Sequence, residues 1–411
     1  MERTYFKSII FNFIKNLMAY ALPVVVLQFV IQPVIASKLG EENNGLILTI
    51  IALNYFITSI TASILLQIRL LQNEKYEKEI LVGDYNLILL AMAIFNSFVM
   101  AVGTWFYMGA AVTVWDIVLC IVIALLFLIH DYIGVQYRSE FNYTKILISN
   151  IVLCFGYLLG ILCFLYVLNS WQIVFIVAYG VCEIYDLSHT TYWREPFKIT
   201  PLMPDTIRRF FLLAGASILG YLVSYGDRLL LFPVADGSTV SILTASEVMG
   251  KMLMLISSPL SSFLLAYLVK ESSVKYNPKL KHILLAFTFL GVCYVVAVGV
   301  SIPMLKLLYP QWAVRSAKYV PVTTLTSLLN LISAVLNVII IRFCKTKWQL
   351  IVNGSYLAMY LISSFTLFHF FGLMGFCIGN MIAATFKLII IALIGTKNIK
   401  IGERDLNDSL L

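Results

Sequence analysis

Long apolar stretches with few charges recur along the whole of this 411-residue chain. Apolar and aromatic residues make up 61% of it and charged residues only 12%, against about 45–50% and about 25% in soluble domains. So few charges cannot cover a water-facing surface, which excludes a soluble enzyme, a nucleic-acid-binding module and a disordered scaffold. The sequence therefore predicts an all-α membrane protein with many spans.

Twelve of these stretches are long enough to cross ~30 Å of hydrocarbon, which takes ~20 helical residues. The predicted spans are 16–37, 44–67, 84–108, 111–136, 144–168, 170–190, 208–233, 239–269, 282–307, 319–342, 348–370 and 373–396. The connections between them are short, so the sequence predicts no soluble domain and a function inside the membrane.

The basic residues are distributed unevenly between the two sets of connections. Odd-to-even connections hold 4 of them, whereas the termini and the even-to-odd connections hold 22. Because cytoplasmic loops collect Lys and Arg, both termini are predicted to be cytoplasmic. The net charge of +8 is then explained by these loops, and no nucleic-acid partner is expected.

The rhythm of the spans divides the chain into two halves, 1–200 and 201–411. The outer turn at 38–45 corresponds to the one at 235–240, and the turn at 169–170 corresponds to 371–372. Six spans per half is an even number, so both halves enter the membrane in the same sense. We therefore expect two parallel six-helix repeats around a central cavity, an architecture suited to alternating access.

Small residues mark two places where helices are expected to approach closely. Gly156 and Gly160 are four apart in the fifth span, and Gly372, Gly375 and Gly379 open the twelfth. Glycines at such spacing allow close backbone contact between membrane helices, so generic packing is their predicted role.

The seven cysteines carry no recognisable metal or redox motif. They are scattered, without a CxxC and without a histidine at ligand spacing (residues 120, 154, 163, 182, 293, 344 and 377). They are interpreted as small packing residues, so neither a disulfide nor a metal site is predicted. The sequence also lacks the GxxxxGK[ST] pattern that cradles phosphates, so no ATPase activity and no cofactor are expected.

Charges inside the spans are the candidate functional residues, because ionisable groups in a membrane are costly unless they pair or face a cavity. Asp227 and Arg228 lie near the end of the seventh span, and Glu247 and Lys251 lie in the eighth. Glu247 and Lys251 are four apart, on one helical face in the favourable acid-first order. An antiparallel hairpin would also bring Arg228 level with Glu247. The cluster either fixes the register of two helices or handles substrate or protons.

Two further groups of ionisable residues are less distinctive. Lys387, in the twelfth span, either snorkels to the interface or adds positive charge to the cavity. His130 with Asp131, and Glu183 with Asp186, lie near the ends of the fourth and sixth spans. Solvated helix ends are the preferred interpretation of these two pairs, with a proton relay as the alternative.

The chain resembles the O-antigen and polysaccharide flippases of the multidrug/oligosaccharidyl-lipid/polysaccharide (MOP) exporter superfamily. The resemblance covers the whole chain and rests on loose, mostly apolar segments: KNLMAYALPVVVLQFVIQPVIASKLGEENNG, SYGDRLLLFPVADG, LLYPQWAVRSAKYVPVTTL and FGLMGFCIGNMIAATFK. Leu39-Gly40 and Asn44-Gly45 match the family pattern, as do Asp227 and Gly237. The aromatic usually found after that last glycine is replaced by Ser241-Ile242.

The resemblance implies a non-enzymatic flippase in a bacterial inner membrane. Its substrate would be an oligosaccharide on polyprenyl pyrophosphate, with membrane lipids, a polysaccharide polymerase and chain-length machinery as partners. Arg228, Lys251 and Lys387 would bind the anionic head group, and Glu247 and Asp227 would couple transport to an ion gradient. The alternatives are a drug or metabolite exporter of the same superfamily, and a polytopic polysaccharide polymerase or glycosyltransferase.

Overall fold

The computed structural model describes residues 15, 17–79, 81–140, 142–257, 260, 261, 264, 280–343 and 347–408, which form helices joined by short turns and contain no β-strand. A helical run over Leu17–Lys78 opens this part of the chain and includes a π-helical turn at Leu27–Ile31. The helices are α1 (Gln32–Ile60), α2 (Ala62–Lys78), α3 (Asp84–Met108), α4 (Val114–Ser139), α5 (Tyr143–Tyr166), α6 (Gln172–His189), α7 (Met203–Leu229), α8 (Gly237–Met254), α9 (Leu280–Leu308), α10 (Ala313–Ala317), α11 (Val320–Phe343) and α12 (Lys347–Asp408).

The helices account for the predicted spans. Within the described residues, 7 helical runs are long and apolar enough to cross a membrane, or 8 if the bent α7 counts as one span. Two of these runs, Leu17–Lys78 and Trp348–Gly395, are interrupted at Gly40 (φ 81°) and Gly372 (φ 57°), conformations that favour glycine. Each interrupted run thus contains two predicted spans. The protein is an all-helical multi-pass membrane protein, and about twelve membrane helices are consistent with its structure.

The chain forms two compact units, of which the first ends at Val240 and the second begins at Ser241. This boundary falls in the first turn of α8. The predicted six-helix bundles 1–200 and 201–411 remain a prediction. The end of the predicted eighth span and most of the connection at 270–281 lie outside the described residues.

Glycines fix the register of α5 against α6 in the first unit. A Cβ on Gly156 would lie 2.6 Å from the carbonyl oxygen of Ala178, and one on Gly160 would lie 2.5 Å from that of Val174. The predicted close contact at these two glycines is therefore confirmed. Because the two helices are antiparallel, the same register brings Ser149 of α5 level with the C-terminal part of α6.

Polar contacts at their N-termini align α4 and α6. Thr113 and Asp116 form a capping box, in which the Thr113 side chain accepts from the Asp116 amide (3.2 Å) and Asp116 accepts from the Thr113 amide (3.1 Å). Gln172, the first residue of α6, donates to Asp116 Oδ1 at 2.9 Å. Both helices start from this contact and run parallel, so residues about 14 positions further on, ~21 Å along each axis, are level.

The turn after Gly40 contacts the start of α8. The Glu42 carboxylate accepts from the amides of Gly237 (3.1 Å) and Ser238 (3.0 Å), which satisfies free donors at the N-terminus of α8. A Cβ on Gly45 would lie 1.8 Å from the Gly237 carbonyl oxygen, so the two backbones touch. The two turns that the sequence comparison paired, 38–45 and 235–240, therefore meet each other.

The connection between α6 and α7 is attached to α2 and to the first residue of α3 by side-chain contacts. Arg69 of α2 forms a salt bridge with Glu195, and its guanidinium lies 3.6 Å from the centroid of the Tyr192 ring. Asp84, the first residue of α3, accepts from the Thr200 amide at 2.7 Å. This connection is therefore an ordered part of the first unit rather than a loose linker.

In the second unit, close approaches join α8 to α11 and the two halves of α12. A Cβ on Gly250 would lie 2.3 Å from Ser327 Oγ. Cβ atoms on Gly375 and Gly379 would lie 1.9 Å from the Leu367 carbonyl oxygen and 2.4 Å from Ser364 Cα. The predicted close contacts at Gly375 and Gly379 are confirmed, and Gly372 supplies the break that lets the chain fold back.

Candidate functional site

The predicted site residues lie in both compact units. Asp227 and Arg228 occupy the last turn of α7, in the first unit, and are only 7% and 9% exposed. Arg228 Nε is buried without a hydrogen-bond partner in the described part of the chain. One N–H donor of this guanidinium is therefore unsatisfied within the described residues.

Glu247 and Lys251 belong to the second unit and pair with each other. Lys251 Nζ lies 2.6 Å from Glu247 Oε2, so the pairing predicted from their spacing of four is confirmed. The Glu247 side chain is 10% exposed and that of Lys251 is 30% exposed, so the cation is the more exposed member of the pair. The predicted pair of Arg228 with Glu247 remains a prediction.

Lys387 lies in α12 against an aromatic ring. Its Nζ is 4.5 Å from the centroid of Tyr356, whose hydroxyl donates to Asn330 Oδ1 at 3.3 Å. No carboxylate in the described part of the chain lies within 4.0 Å of this ammonium group. A cation–π contact stabilises the charge without neutralising it.

A polar cluster that the sequence did not bring together lies in the first unit, between α4, α5 and α6. His130 Nδ1 is 3.6 Å from Cys182 Sγ, 3.6 Å from Asp186 Oδ2 and 3.4 Å from Glu183 Oε1. Cys182 Sγ is also 3.6 Å from Asp186 Oδ2. The contact between Asp116 of α4 and Gln172 of α6 explains why His130 and Asp186 meet. His130 lies 14 residues after Asp116 in α4, and Asp186 lies 14 residues after Gln172 in α6.

Neighbouring side chains hold this cluster in position. Tyr137 Oη donates to Asp186 Oδ1 at 3.0 Å, and Ser149 Oγ donates to Asp186 Oδ2 at 2.8 Å. The His130 ring packs edge-on against Tyr179, with centroids 5.2 Å apart. Hydrogen bonds and ring contacts therefore restrain both the carboxylate and the imidazole.

The burial of the acids corrects the interpretation of these residues as solvated helix ends. Glu183 is 4% exposed and Asp186 is 1% exposed. The prediction was wrong for these two because it judged depth from distance to the helix end, whereas α4 and α5 cover this face of α6. Sequence reasoning also missed the partnership of Cys182 with His130, which are 52 residues apart and share no motif.

The cluster borders a cavity within the first unit. Its volume is about 190 Å³, and its lining includes His130, Asp131, Arg138, Ser149 and Asp186. The acids in this lining are thus accompanied by an imidazole and a guanidinium. Such a cavity has room for water and for a small ion or a polar group of a ligand.

Neither a protein-family model nor a curated protein sequence matches this chain. Solved structures do match it. It is similar to the lipid II flippase MurJ in an inward closed conformation, with a TM-score of 0.70 and 14% identity over 93% of this chain and 87% of that one. It is also similar to an outward-facing multidrug resistance MATE transporter of the MOP superfamily, with a TM-score of 0.65 and 16% identity over 96% of each chain.

A third similar structure is a MOP-superfamily transporter from Pyrococcus furiosus, with a TM-score of 0.62 and 15% identity over 95% of this chain and 96% of that one. Its description states that the reverse polarity of its binding pocket suggests a different function. At these identities the likeness establishes the fold and nothing finer. The chain has the fold of the MOP-superfamily transporters.

Proposed function

We propose that this chain flips an oligosaccharide carried on polyprenyl pyrophosphate from the cytoplasmic to the outer leaflet of a bacterial inner membrane. The step would serve O-antigen or related polysaccharide synthesis, beside a polymerase and chain-length machinery. The fold supports a transporter, and one structure that shares it is named a lipid II flippase. Since the similar structures are transporters, a polysaccharide polymerase or glycosyltransferase is disfavoured.

Lys387 is the observation that carries this proposal. A charged side chain within a membrane helix is costly and normally pairs or faces a water-filled cavity. Lys387 contacts an aromatic ring, and no carboxylate in the described part of the chain is close enough to neutralise it. An anionic substrate would supply the missing charge, and a lysine is well suited to a phosphate as a compact point charge.

The remaining predicted residues are assigned roles around this cation. Arg228, Lys251 and Lys387 would each supply positive charge to the pyrophosphate. Glu247 and Asp227 would couple transport to an ion gradient, because the sequence offers no ATP-binding loop. The proposal places both termini in the cytoplasm, on the basis of the distribution of basic residues.

A drug or metabolite exporter is the second candidate. The cavity of the first unit is lined by Asp131 and Asp186, and carboxylates suit a cationic drug better than a pyrophosphate. The similarity to MATE transporters supports this candidate as well. The two functions therefore differ in the charge of the residues that contact the substrate, which is positive for the flippase and negative for the exporter.

Surface glycan display in a strain that lacks the gene tests the proposal. Wild-type protein should restore the glycan, Lys387→Gln should abolish most of the display at equal protein abundance, and Lys387→Arg should keep part of it. Lys306→Gln, which alters an exposed lysine at the end of α9, is the matched control. Undiminished display without the gene, together with new drug sensitivity, would favour the exporter instead.

A further inference from the structure

We propose that His130, Cys182 and Asp186 bind one divalent transition-metal ion of the Zn²⁺ type, with the buried carboxylate of Glu183 beside them. The site lies wholly within the first compact unit. It is independent of the flippase proposal, which rests on the basic residues of the membrane helices. It also reverses the interpretation of Cys182 as a simple packing residue.

The spacing of the donor atoms matches a tetrahedral site. Imidazole nitrogen, thiolate sulfur and carboxylate oxygen bind Zn²⁺ at about 2.0–2.3 Å, which makes the edges of the tetrahedron roughly 3.3–3.6 Å. The three edges between His130 Nδ1, Cys182 Sγ and Asp186 Oδ2 are all 3.6 Å. One ion can therefore reach all three atoms with little movement of the helices.

The donor chemistry selects the class of ion. Thiolate and imidazole favour Zn²⁺ and its neighbours, whereas Na⁺, Mg²⁺ and Ca²⁺ prefer sets made of oxygen atoms. Cys182 is fully buried, and its thiol lies 3.3 Å from the Ser149 carbonyl oxygen. Metal binding would replace the thiol proton, and that proton would leave to water through the adjoining cavity.

Glu183 gives an independent indication that a cation belongs here. It is 4% exposed, and both of its carboxylate oxygens are buried without a hydrogen-bond partner in the described residues. Its Oε1 lies 3.4 Å from His130 Nδ1, so its negative charge borders the three donor atoms. A buried carboxylate without hydrogen-bond donors is costly, and a metal ion held by the neighbouring donors would lower that cost through its positive charge.

Tyr137 is the positioning residue of the site. Its hydroxyl donates to Asp186 Oδ1, which orients the carboxylate so that Oδ2 faces His130 and Cys182. Outer hydrogen bonds of this kind tune metal affinity, and their loss typically weakens binding by roughly 10–100-fold. Tyr137 also lines the cavity through which an ion would enter.

The test measures metal binding by the full-length protein, purified in detergent through a tag that contains no histidine and stripped with a chelator. Zn²⁺ titrated against an indicator dye should fill one site per chain in the wild type. Tyr137→Phe should weaken binding by roughly 10–100-fold, and Cys182→Ser should weaken it further. Cys377→Ala and His369→Ala, which change a buried cysteine and an exposed histidine of α12, should bind like wild type.

Co²⁺ in place of Zn²⁺ reports the ligands directly, because the wild-type spectrum alone shows whether a thiolate is bound. The wild type should show a thiolate-to-cobalt charge-transfer absorption, and Cys182→Ser should lack it. Failure of the stripped wild type to bind Zn²⁺ would overturn the proposal. Binding by Cys182→Ser equal to that of wild type, or bound Co²⁺ without the charge-transfer absorption, would overturn it as well.

Discussion

At the scale of single residues, the buried charges of this protein are compensated in different ways. Lys251 has a carboxylate one helical turn away, whereas Lys387 contacts the face of Tyr356 and no carboxylate among the described residues. The first pairing could be predicted from sequence because helical spacing alone creates it. The meeting of His130 with Asp186 could not, because it depends on the long-range alignment of α4 and α6 at Asp116.

Variants of the Glu247–Lys251 pair distinguish a structural role of the pair from a functional one. Glu247→Gln should reduce stability by up to about 3 kcal/mol, the lower end of the cost of breaking a buried pair, because Lys251 keeps 30% exposure. The Glu247→Gln, Lys251→Met double variant should recover protein abundance, since neither charge of this pair remains to lack the other. We expect glycan display to stay low in both variants because the double change removes a substrate-binding cation and a coupling acid. Recovery of display together with abundance would assign the pair a structural role only.

At the scale of helices, backbone-to-backbone contacts at glycines determine which elements pack. The sequence predicted close contact at Gly156 and Gly160 from their spacing, and the structure supplies the partner, α6. It also predicted turns at 38–45 and 371–372 from the spacing of the apolar stretches, and the structure has Gly40 and Gly372 at these turns. The partner helix could not be predicted, because a small-residue motif does not specify what packs against it.

Gly156→Ala tests the helix contact. Its new methyl group would meet the Ala178 carbonyl oxygen at 2.6 Å, so we expect a loss of about 1–3 kcal/mol through overpacking. Gly134→Ala in α4 is the matched control, since its Cβ would have no neighbour within 4 Å. That control should be neutral or slightly stabilising, because alanine favours helix by about 1 kcal/mol. Thermal unfolding of the two purified variants gives the comparison, and equal midpoints would contradict the proposed register.

Arg69 tests the attachment of the connection between α6 and α7. Its salt bridge with Glu195 is largely buried, at 5% and 16% side-chain exposure, so Arg69→Met should cost about 3–5 kcal/mol. Lys75→Met breaks a pair with Asp205 whose side chains are 49% and 38% exposed, and should cost at most about 1 kcal/mol. Proteolysis within 190–202 should accelerate in the first variant only. Equal resistance in both would show that Arg69 does not hold the connection.

At the scale of the whole molecule, hydropathy predicts the number of membrane helices because the demand for apolar residues is local to each span. Hydropathy does not predict that the boundary between the compact units falls between Val240 and Ser241, since that boundary depends on which helices pack together. The cavity of the first unit was missed for the same reason. The MOP fold is shared by transporters of different substrates, so the charges of the site must decide the function.

Flipping by the purified protein tests the central claim most directly. Vesicles would contain the protein and a fluorescent oligosaccharide on polyprenyl pyrophosphate, and a membrane-impermeant quencher would report the fraction in the outer leaflet. Under an ion gradient, wild type should move the lipid faster than protein-free vesicles, Lys387→Gln should lose most of that rate, and Lys306→Gln should keep it. A wild-type rate no higher than that of protein-free vesicles, or a Lys387→Gln rate equal to that of wild type, would contradict the account.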